Sequence, residues 1–557
     1  MNRLLLIFIL FNTGLLQISA QTKQEYNSAK KKWIDTEFNK MTAEQKIAQL
    51  MIIRFQSNWD SLKTDSVSKI AIKYNVGGLC FFQGTSVKQA LITNFLQKKI
   101  QTPLIISIDA EWGLGMRLTD IIPLSKNIQL GALTNDNLIF QQGVLMGNQC
   151  KRLGIQINYA PVADINMNPD NPVINDRSFG EDKKLVAQKS LKLMKGLQST
   201  GVIACAKHYP GHGDVNQDSH FELPLIKKSE QEITNNELTP FQLLIDSGIK
   251  MVMIGHLFIP SLDTTHNQPS SLSSKIIQNK LKIQQKFNGL VITDALEMQA
   301  IQKYFPQNQS LVEALKAGND LLCLPASVPE GIAKIKLAID SGILSWEHID
   351  NSVKKILAAK FEAGLNLWKP IDTNNLTADL NKGIPELNTL IARESITVLS
   401  DHTTNIPFKP KKKYGYLKIG GSTNTDTLWQ LLSKMPQFNT IYIPFDQDSL
   451  SLDSLKNSIL TNNINFIGLQ SYNRRPANYF SIPTKIIHFI NSLSNDHNVL
   501  LCFGNPYALN LFQESFKDRV VLYEDNVFTE LAAYQWLIGN IAAKGILPVS
   551  IKYKGFN

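Results

Sequence analysis

Eight short apolar runs, separated by segments with helical spacing, constrain this chain more than any other feature of its sequence. The runs lie at 51–55, 76–82, 104–109, 155–161, 202–207, 251–255, 290–294 and 320–324. Helical patterns fall between them, among others at 87–98, 185–198, 230–247 and 310–317. Strands that are apolar on both faces belong to parallel sheets covered by helices, and eight such strand–helix units in succession predict a (β/α)8 barrel of the TIM type. An open doubly wound sheet is the alternative. It normally uses fewer strands, and no G-x-G-x-x-G phosphate loop is visible.

A helix over 348–363 is expected to close this series. The stretch around 369–382, with Pro370, Asn374, Asn375 and Asn381, reads as a connector. A second α/β series then follows at 414–419, 440–444, 464–469, 499–503 and 520–523. The expected organisation is α/β throughout: a barrel over 21–368, a linker or connecting helix over 369–390, and a smaller αβα sandwich over 391–557. At 557 residues and 43% hydrophobic content the chain has length and apolar material for both.

The first twenty residues follow a different pattern. Arg3 precedes the apolar run 4–11, and Ala20 offers a small residue before Gln21. That is the layout of a cleavable secretory signal, and the run is short for a lasting membrane anchor. No cysteine stands at the expected cleavage point to carry a lipid, so the reading is an exported protein, periplasmic or secreted, without a stable membrane anchor. The five cysteines (Cys80, Cys150, Cys205, Cys323 and Cys502) have no CxxC spacing and suggest neither a disulfide framework nor a zinc knuckle. The net charge of +10 is spread along the chain, with lysine triplets only at 30–32 and 411–413, which argues for solvated surface rather than a nucleic-acid site. Oligomeric state is not legible.

Several expected strands end in a charged or imidazole side chain: Asp109 after the third, Lys207 and His208 after the fifth, His256 after the sixth, Asp294 after the seventh. The carboxyl ends of barrel strands are where active sites of this architecture assemble. A charge there costs free energy unless it is paired or used. The densest cluster is Lys207-His208-Tyr209-Pro210-Gly211-His212-Gly213-Asp214, followed by Asp218-Ser219-His220. Its glycines and proline predict a loop that approaches a ligand closely. In Asp218-x-His220 the carboxylate can fix one ring nitrogen and leave the other for proton transfer. Spacing alone leaves three readings open: acid–base work, a metal site built from His208, His212, His220, Asp214 and Asp218, or exposed polar residues. For Asp294 the residues leave two: a nucleophile facing the barrel mouth, or a helix N-cap.

These segments resemble glycoside hydrolase family 3, in its bacterial β-N-acetylglucosaminidase branch with a KHxPGHGD…DSH loop. Asp109-Ala110-Glu111 resembles the branch's DQEGG motif, Asn175-Asp176-Arg177-Ser178-Phe179-Gly180 its N-x-R-S-F/Y-G segment, and 314–322 its AL-x-AG-x-DLL element. The resemblance implies Asp294 as nucleophile and His220, supported by Asp218, as general acid/base. It places Asp109, Arg117, Arg177, Lys207 and His208 on sugar-binding positions. It implies no metal or other cofactor. One departure is Trp112 where the motif has glycine; it would either touch a sugar face or pack as core.

The expectation is therefore a retaining exo-hydrolase of terminal β-linked N-acetylglucosamine, acting on peptidoglycan fragments or related oligosaccharides. Within the same family, a β-glucosidase or β-xylosidase and an N-acetylglucosaminide phosphorylase are the alternatives. Outside catalysis, a silent envelope-glycan-binding protein is the alternative.

Overall fold

The structure is a computed structural model that describes residues 23–217, 222–306, 308–400, 412–459, 464–495, 497–516 and 518–553. The expected secretory signal, 1–20, lies outside the described residues.

Eight parallel strands form the first sheet: β1 (Met51–Phe55), β2 (Gly78–Phe81), β3 (Ile105–Ile108), β4 (Ile157–Asn158), β5 (Ile203–Tyr209), β6 (Met251–Ile254), β7 (Leu290–Thr293) and β8 (Leu322–Cys323). Their order is β7-β6-β5-β4-β3-β2-β1-β8, and a parallel bridge between Ile292 and Leu321 joins the two ends into a barrel. β4 and β8 are much shorter than their apolar runs, because side chains take over part of the ladder. The Ile106 N–H donates to Oε1 of Gln156 at 2.9 Å just before β4, and the Val291 N–H donates to Oδ2 of Asp320 at 3.0 Å just before β8.

Helices cover the outside. The helix Lys183–Ser199 begins where Asp182 accepts the N–H groups of Lys184 and Leu185, an N-cap of the kind aspartate supplies. The helix expected over 230–247 is instead two, Glu230–Asn235 and Leu238–Asp246. Pro240 explains the break: its ring clashes with the carbonyl of the residue four positions earlier, Asn236, whose backbone (φ −123°, ψ −79°) has left the helical region.

The segment after the barrel carries the helices Leu376–Asn381 and Ile384–Ser395, with Gly383 in the left-handed conformation between them. Leu376, Leu380, Ile384, Leu387 and Ile391 are buried in the same core as the barrel residues. This connector is packed wall rather than loose chain.

The second sheet holds β9 (Thr397–Ser400), β10 (Tyr414–Ile419), β11 (Phe438–Ile443), β12 (Ile464–Leu469), β13 (Asn498–Cys502) and β14 (Asp518–Val521). The order is β11-β10-β12-β13-β14-β9, parallel except for β9, which runs antiparallel to β14. Alternate residues feed two cores. Leu417, Ile419, Ile467 and Leu469 face one side, while Tyr414, Tyr416, Ile464 and Phe466 face the other. Helices on both faces complete an αβα sandwich.

The barrel and the sandwich share apolar contacts. Ile128 and Ala132, from the barrel side, are buried within the sandwich core together with Val549. Residues 546–548 run back across the join: Ile546 N–H donates to the Ala132 carbonyl at 2.9 Å, and Glu181 N–H donates to the Pro548 carbonyl at 3.1 Å, while Gly545 N–H holds the segment to the sandwich through the Ile396 carbonyl at 2.9 Å.

Candidate active site

At the carboxyl ends of the barrel strands lies a cavity of about 240 Å³, lined among others by Asp109, Arg117, Arg177, Lys207, His208 and Asp294. Six of the eight residues singled out from sequence thus meet at one place. The other two, Asp218 and His220, lie outside the described residues.

Lys207 is the hub. It belongs to β5, all seven residues of which are buried, and its side chain is 2% exposed. A buried ammonium demands anionic partners, and it has two. Lys207 Nζ pairs with Oδ1 of Asp109, and it lies 2.7 Å from Oε1 of Glu111. Arg117 donates through Nη2 to the other Asp109 oxygen at 2.7 Å, and Arg177 donates through Nη2 to Glu111 at 2.6 Å. Burial alone would raise both carboxyls. Lys207 with Arg117 more than offsets this at Asp109, and Arg177 with Lys207 holds Glu111 well below the usual carboxylate range. For Lys207 burial works downward and is outweighed by the two carboxylates, which raise it.

Asp164 organises the loop that follows β5. Its Oδ2 lies 2.7 Å from Nδ1 of His208, and its Oδ1 accepts the N–H groups of His208 at 3.1 Å and His212 at 2.8 Å. Arg177 Nη2 approaches Nε2 of His208 at 3.2 Å. Because arginine can only donate, that nitrogen accepts and the ring proton sits on Nδ1, toward Asp164. The glycines have distinct duties. Gly211 has φ +130°, and a side chain at Gly213 would stand 1.7 Å from the Ile165 carbonyl oxygen.

Asp294 directly follows β7. Its Oδ1 accepts the N–H of Ala295 at 2.7 Å, and Oδ2 has no hydrogen-bond partner among the described residues. Burial pushes this carboxyl up, but the His256 and His208 rings, the Ala295 N–H and Lys207 together bring it down to about 2. It is therefore ionised throughout the neutral range. His256 supports the turn, with Nδ1 2.7 Å from the Ser271 hydroxyl and Nε2 donating to the Ala295 carbonyl at 3.0 Å.

Sequence reasoning assigned no role to Glu111, Asp164 or Arg54, although a signal existed for each. Glu111 adjoins Asp109, Asp164 follows the fourth strand, and Arg54 interrupts the apolar run of β1. Arg54 pairs with Glu297 and lies 3.8 Å from the Phe82 ring centre, while Arg117 lies 4.8 Å from the same ring. His212, named only as one member of a possible metal set, also lines the cavity. Asp214, another member of that set, pairs with Lys228 at 2.7 Å instead. Among the described residues, no three His, Cys, Asp or Glu side chains group as a metal site. Trp112 is half-buried and does not line the cavity. The guanidinium of Arg474, from the loop after β12, stands 5.2 Å from its ring centre.

The model of the glycosyl hydrolase family 3 N terminal domain matches residues 42–359. Beta-hexosaminidase A of Pseudoalteromonas piscicida is 29% identical over 326 residues, which cover 53% of this chain and 54% of that protein. A beta-N-acetylglucosaminidase/beta-glucosidase of Cellulomonas fimi is 26% identical over 343 residues, 60% of each. The match thus spans little more than half the length of these two relatives. The solved structure of a glycoside hydrolase family 3 beta-N-acetylglucosaminidase from Paenibacillus sp. str. FPU-7 is similar with a TM-score of 0.76 at 27% identity, covering 92% of this chain and all of that one.

Proposed function

The chain belongs to glycosyl hydrolase family 3, and from that membership we propose that it is a retaining exo-glycosidase that releases terminal β-linked N-acetylglucosamine through a covalent intermediate on Asp294. The observation that carries this reading is the state of Asp294. It is a carboxylate at a barrel strand's carboxyl end, held ionised, with one oxygen engaged and the other open to a cavity of one-sugar size.

In the proposed reaction, Oδ2 of Asp294 attacks C1 of the sugar while the glycosidic oxygen departs. His220, oriented by Asp218, gives that oxygen its proton, then takes a proton from the water that frees the sugar from Asp294. Both residues are assigned through the loop motif. Asp109, Arg117 and Lys207, already fixed by one another, present acceptors and donors to sugar hydroxyls, with Arg177 and His208 beside them.

The N-acetylglucosaminide is favoured by the names of the Pseudoalteromonas and Paenibacillus relatives. Peptidoglycan fragments are the proposed source, in keeping with the signal-like pattern of the first twenty residues. No helix among the described residues is long and apolar enough to cross a membrane. A second reading, β-glucosidase activity alongside, is favoured by the double name of the Cellulomonas relative.

Incubation with a 5-fluoro-N-acetylglucosaminyl fluoride tests the mechanism. One glycosyl mass is expected on the peptide that contains Asp294. Label on another residue, or steady turnover with an inverted product, overturns the reading.

A further inference from the structure

The helix Ser86–Lys99, on the outside of the barrel after β2, is turned the opposite way to an ordinary barrel helix. Its inner side is mostly polar: Ser86, Gln89, Thr93 and Gln97 are buried, along with Ala90 and Leu96. Its outer side carries Val87, Leu91 and Phe95, which are 36%, 55% and 52% exposed. Spaced by four, these three form one stripe along the helix, and such a stripe ordinarily faces the core. The inversion costs stability on both sides. Neither amide atom of Gln89 nor the hydroxyl of Thr93 has a hydrogen-bond partner among the described residues, although all three atoms are buried. Outside, a leucine and a phenylalanine forgo the burial that would favour them. A local rule broken without return in packing is the mark of a surface kept for an interaction.

The charge on this face narrows the partner. Lys88, Lys98 and Lys99 are exposed toward the two ends of the stripe, and no acid occurs between 86 and 99. The helix packed beside it, Ser61–Tyr74, exposes Lys63, Lys69 and Lys73. Its one acid, Asp65, is paired with Lys69 at 2.6 Å. A second copy of this chain would set lysines against lysines, because a two-fold contact repeats the same charges on both sides. A polar anionic polymer would meet the lysines but leave Leu91 and Phe95 in water. A surface that is anionic outside and hydrocarbon beneath answers both, with the lysines at the headgroups and the apolar stripe at the acyl boundary.

We propose that the outer face of the helix Ser86–Lys99 is a docking surface for an anionic lipid bilayer, on which the folded protein rests reversibly through Val87, Leu91 and Phe95. The helices of a barrel run back against the direction of its strands. A barrel lying on this helix therefore keeps its axis along the membrane plane and its mouth open to the side.

Vesicle flotation tests this, with one set of equal parts phosphatidylglycerol and phosphatidylcholine and another of phosphatidylcholine alone. The chain from Gln21 onward, the product expected after signal cleavage, is used so that the apolar run 4–11 takes no part. The wild type should float with the anionic vesicles and stay down with the neutral ones. The variants Leu91→Ser/Phe95→Ser and Lys88→Glu/Lys98→Glu/Lys99→Glu should each bind about tenfold less or weaker still. A control, Lys184→Glu/Lys195→Glu on the helix Lys183–Ser199, should bind as the wild type does. Circular dichroism checks that each variant is folded, and quenching of Phe95→Trp by brominated lipid reads the insertion directly. Full binding by either of the first two variants, an equal loss in the control, or no quenching at position 95 overturns the docking face. A wild type that floats with neither vesicle overturns the proposal, and if it is held instead on immobilised polyglutamate the face is a site for an acidic protein.

Discussion

Asp164 grips His208 twice, at the ring through Nδ1 at 2.7 Å and at the backbone through the N–H at 3.1 Å. The ring contact decides the tautomer, because only with the proton on Nδ1 can Nε2 accept from Arg177. Asp164→Asn keeps the shape but offers an amide where the ring proton needs an acceptor. A loss of about 100-fold or more in kcat/KM on an aryl N-acetylglucosaminide is expected, with the melting temperature little changed. Losses below threefold would mean the tautomer is set by something else.

Glu111 is the second anion for Lys207 and the chief partner of Arg177. Glu111→Gln leaves two buried cations short of one negative charge and is expected to cost about 3–5 kcal/mol in urea unfolding at pH 7. The sign of the pH effect follows from the folded state. Glu111 and Asp109 are held below their ordinary values, so the unfolded chain binds protons first as acid is added. Their stabilisation is complete above about pH 5 and is lost as the pH falls toward the folded values. The Gln variant should show a shallower decline between pH 5 and 3. An unchanged slope would mean that other carboxyls dominate it.

Asp294→Ala should lower turnover on the order of 10⁴-fold or more while the fold is kept, since the side chain faces the cavity and packs little. In the wild type, its carboxyl at about 2 keeps it ionised well below pH 4, so the acid limb of kcat/KM must come from another group. A variant with most of its activity, checked by steady-state kinetics and circular dichroism, would remove Asp294 from the nucleophile position.

Lys360 is fully buried and donates to Oε1 of Gln49 at 2.7 Å. Burial, opposed by the charge of Glu37, brings its ammonium down to about 7 from an ordinary 10.5. Between those values the unfolded chain carries the extra proton. The penalty on folding is therefore full below about pH 7 and fades as the pH rises toward 10.5. Lys360→Met should stabilise the protein at pH 7 by about 1–3 kcal/mol, with a gain that shrinks toward pH 10. Destabilisation at pH 7 would show that the bond to Gln49 outweighs the cost of the buried charge.

The strands were legible because each is a short apolar run, and the mouth of the barrel because charge at the end of such a run is costly. What escaped the sequence depends on parts of the chain that meet only after folding. Lys207 finds Asp109 across 98 positions, and the loop at Asp164 reaches His208 across 44. The shortness of β4 and β8 was hidden because Gln156 and Asp320 replace ladder bonds with side chains, which no periodicity reveals. The break at Asn236 was readable from Pro240, and the antiparallel run of β9 was not, since an edge strand's direction is set by the path of the connector before it.

The backbone bonds of Ile546 to Ala132 and of Pro548 to Glu181 lash the sandwich to the barrel at points far apart along the chain, over apolar surface that both share through Ile128 and Val549. Heat cannot melt one without stripping cover from the other. A scanning calorimeter should therefore record one absorption peak rather than two, and a barrel expressed alone should emerge with a sticky flank around Ile128.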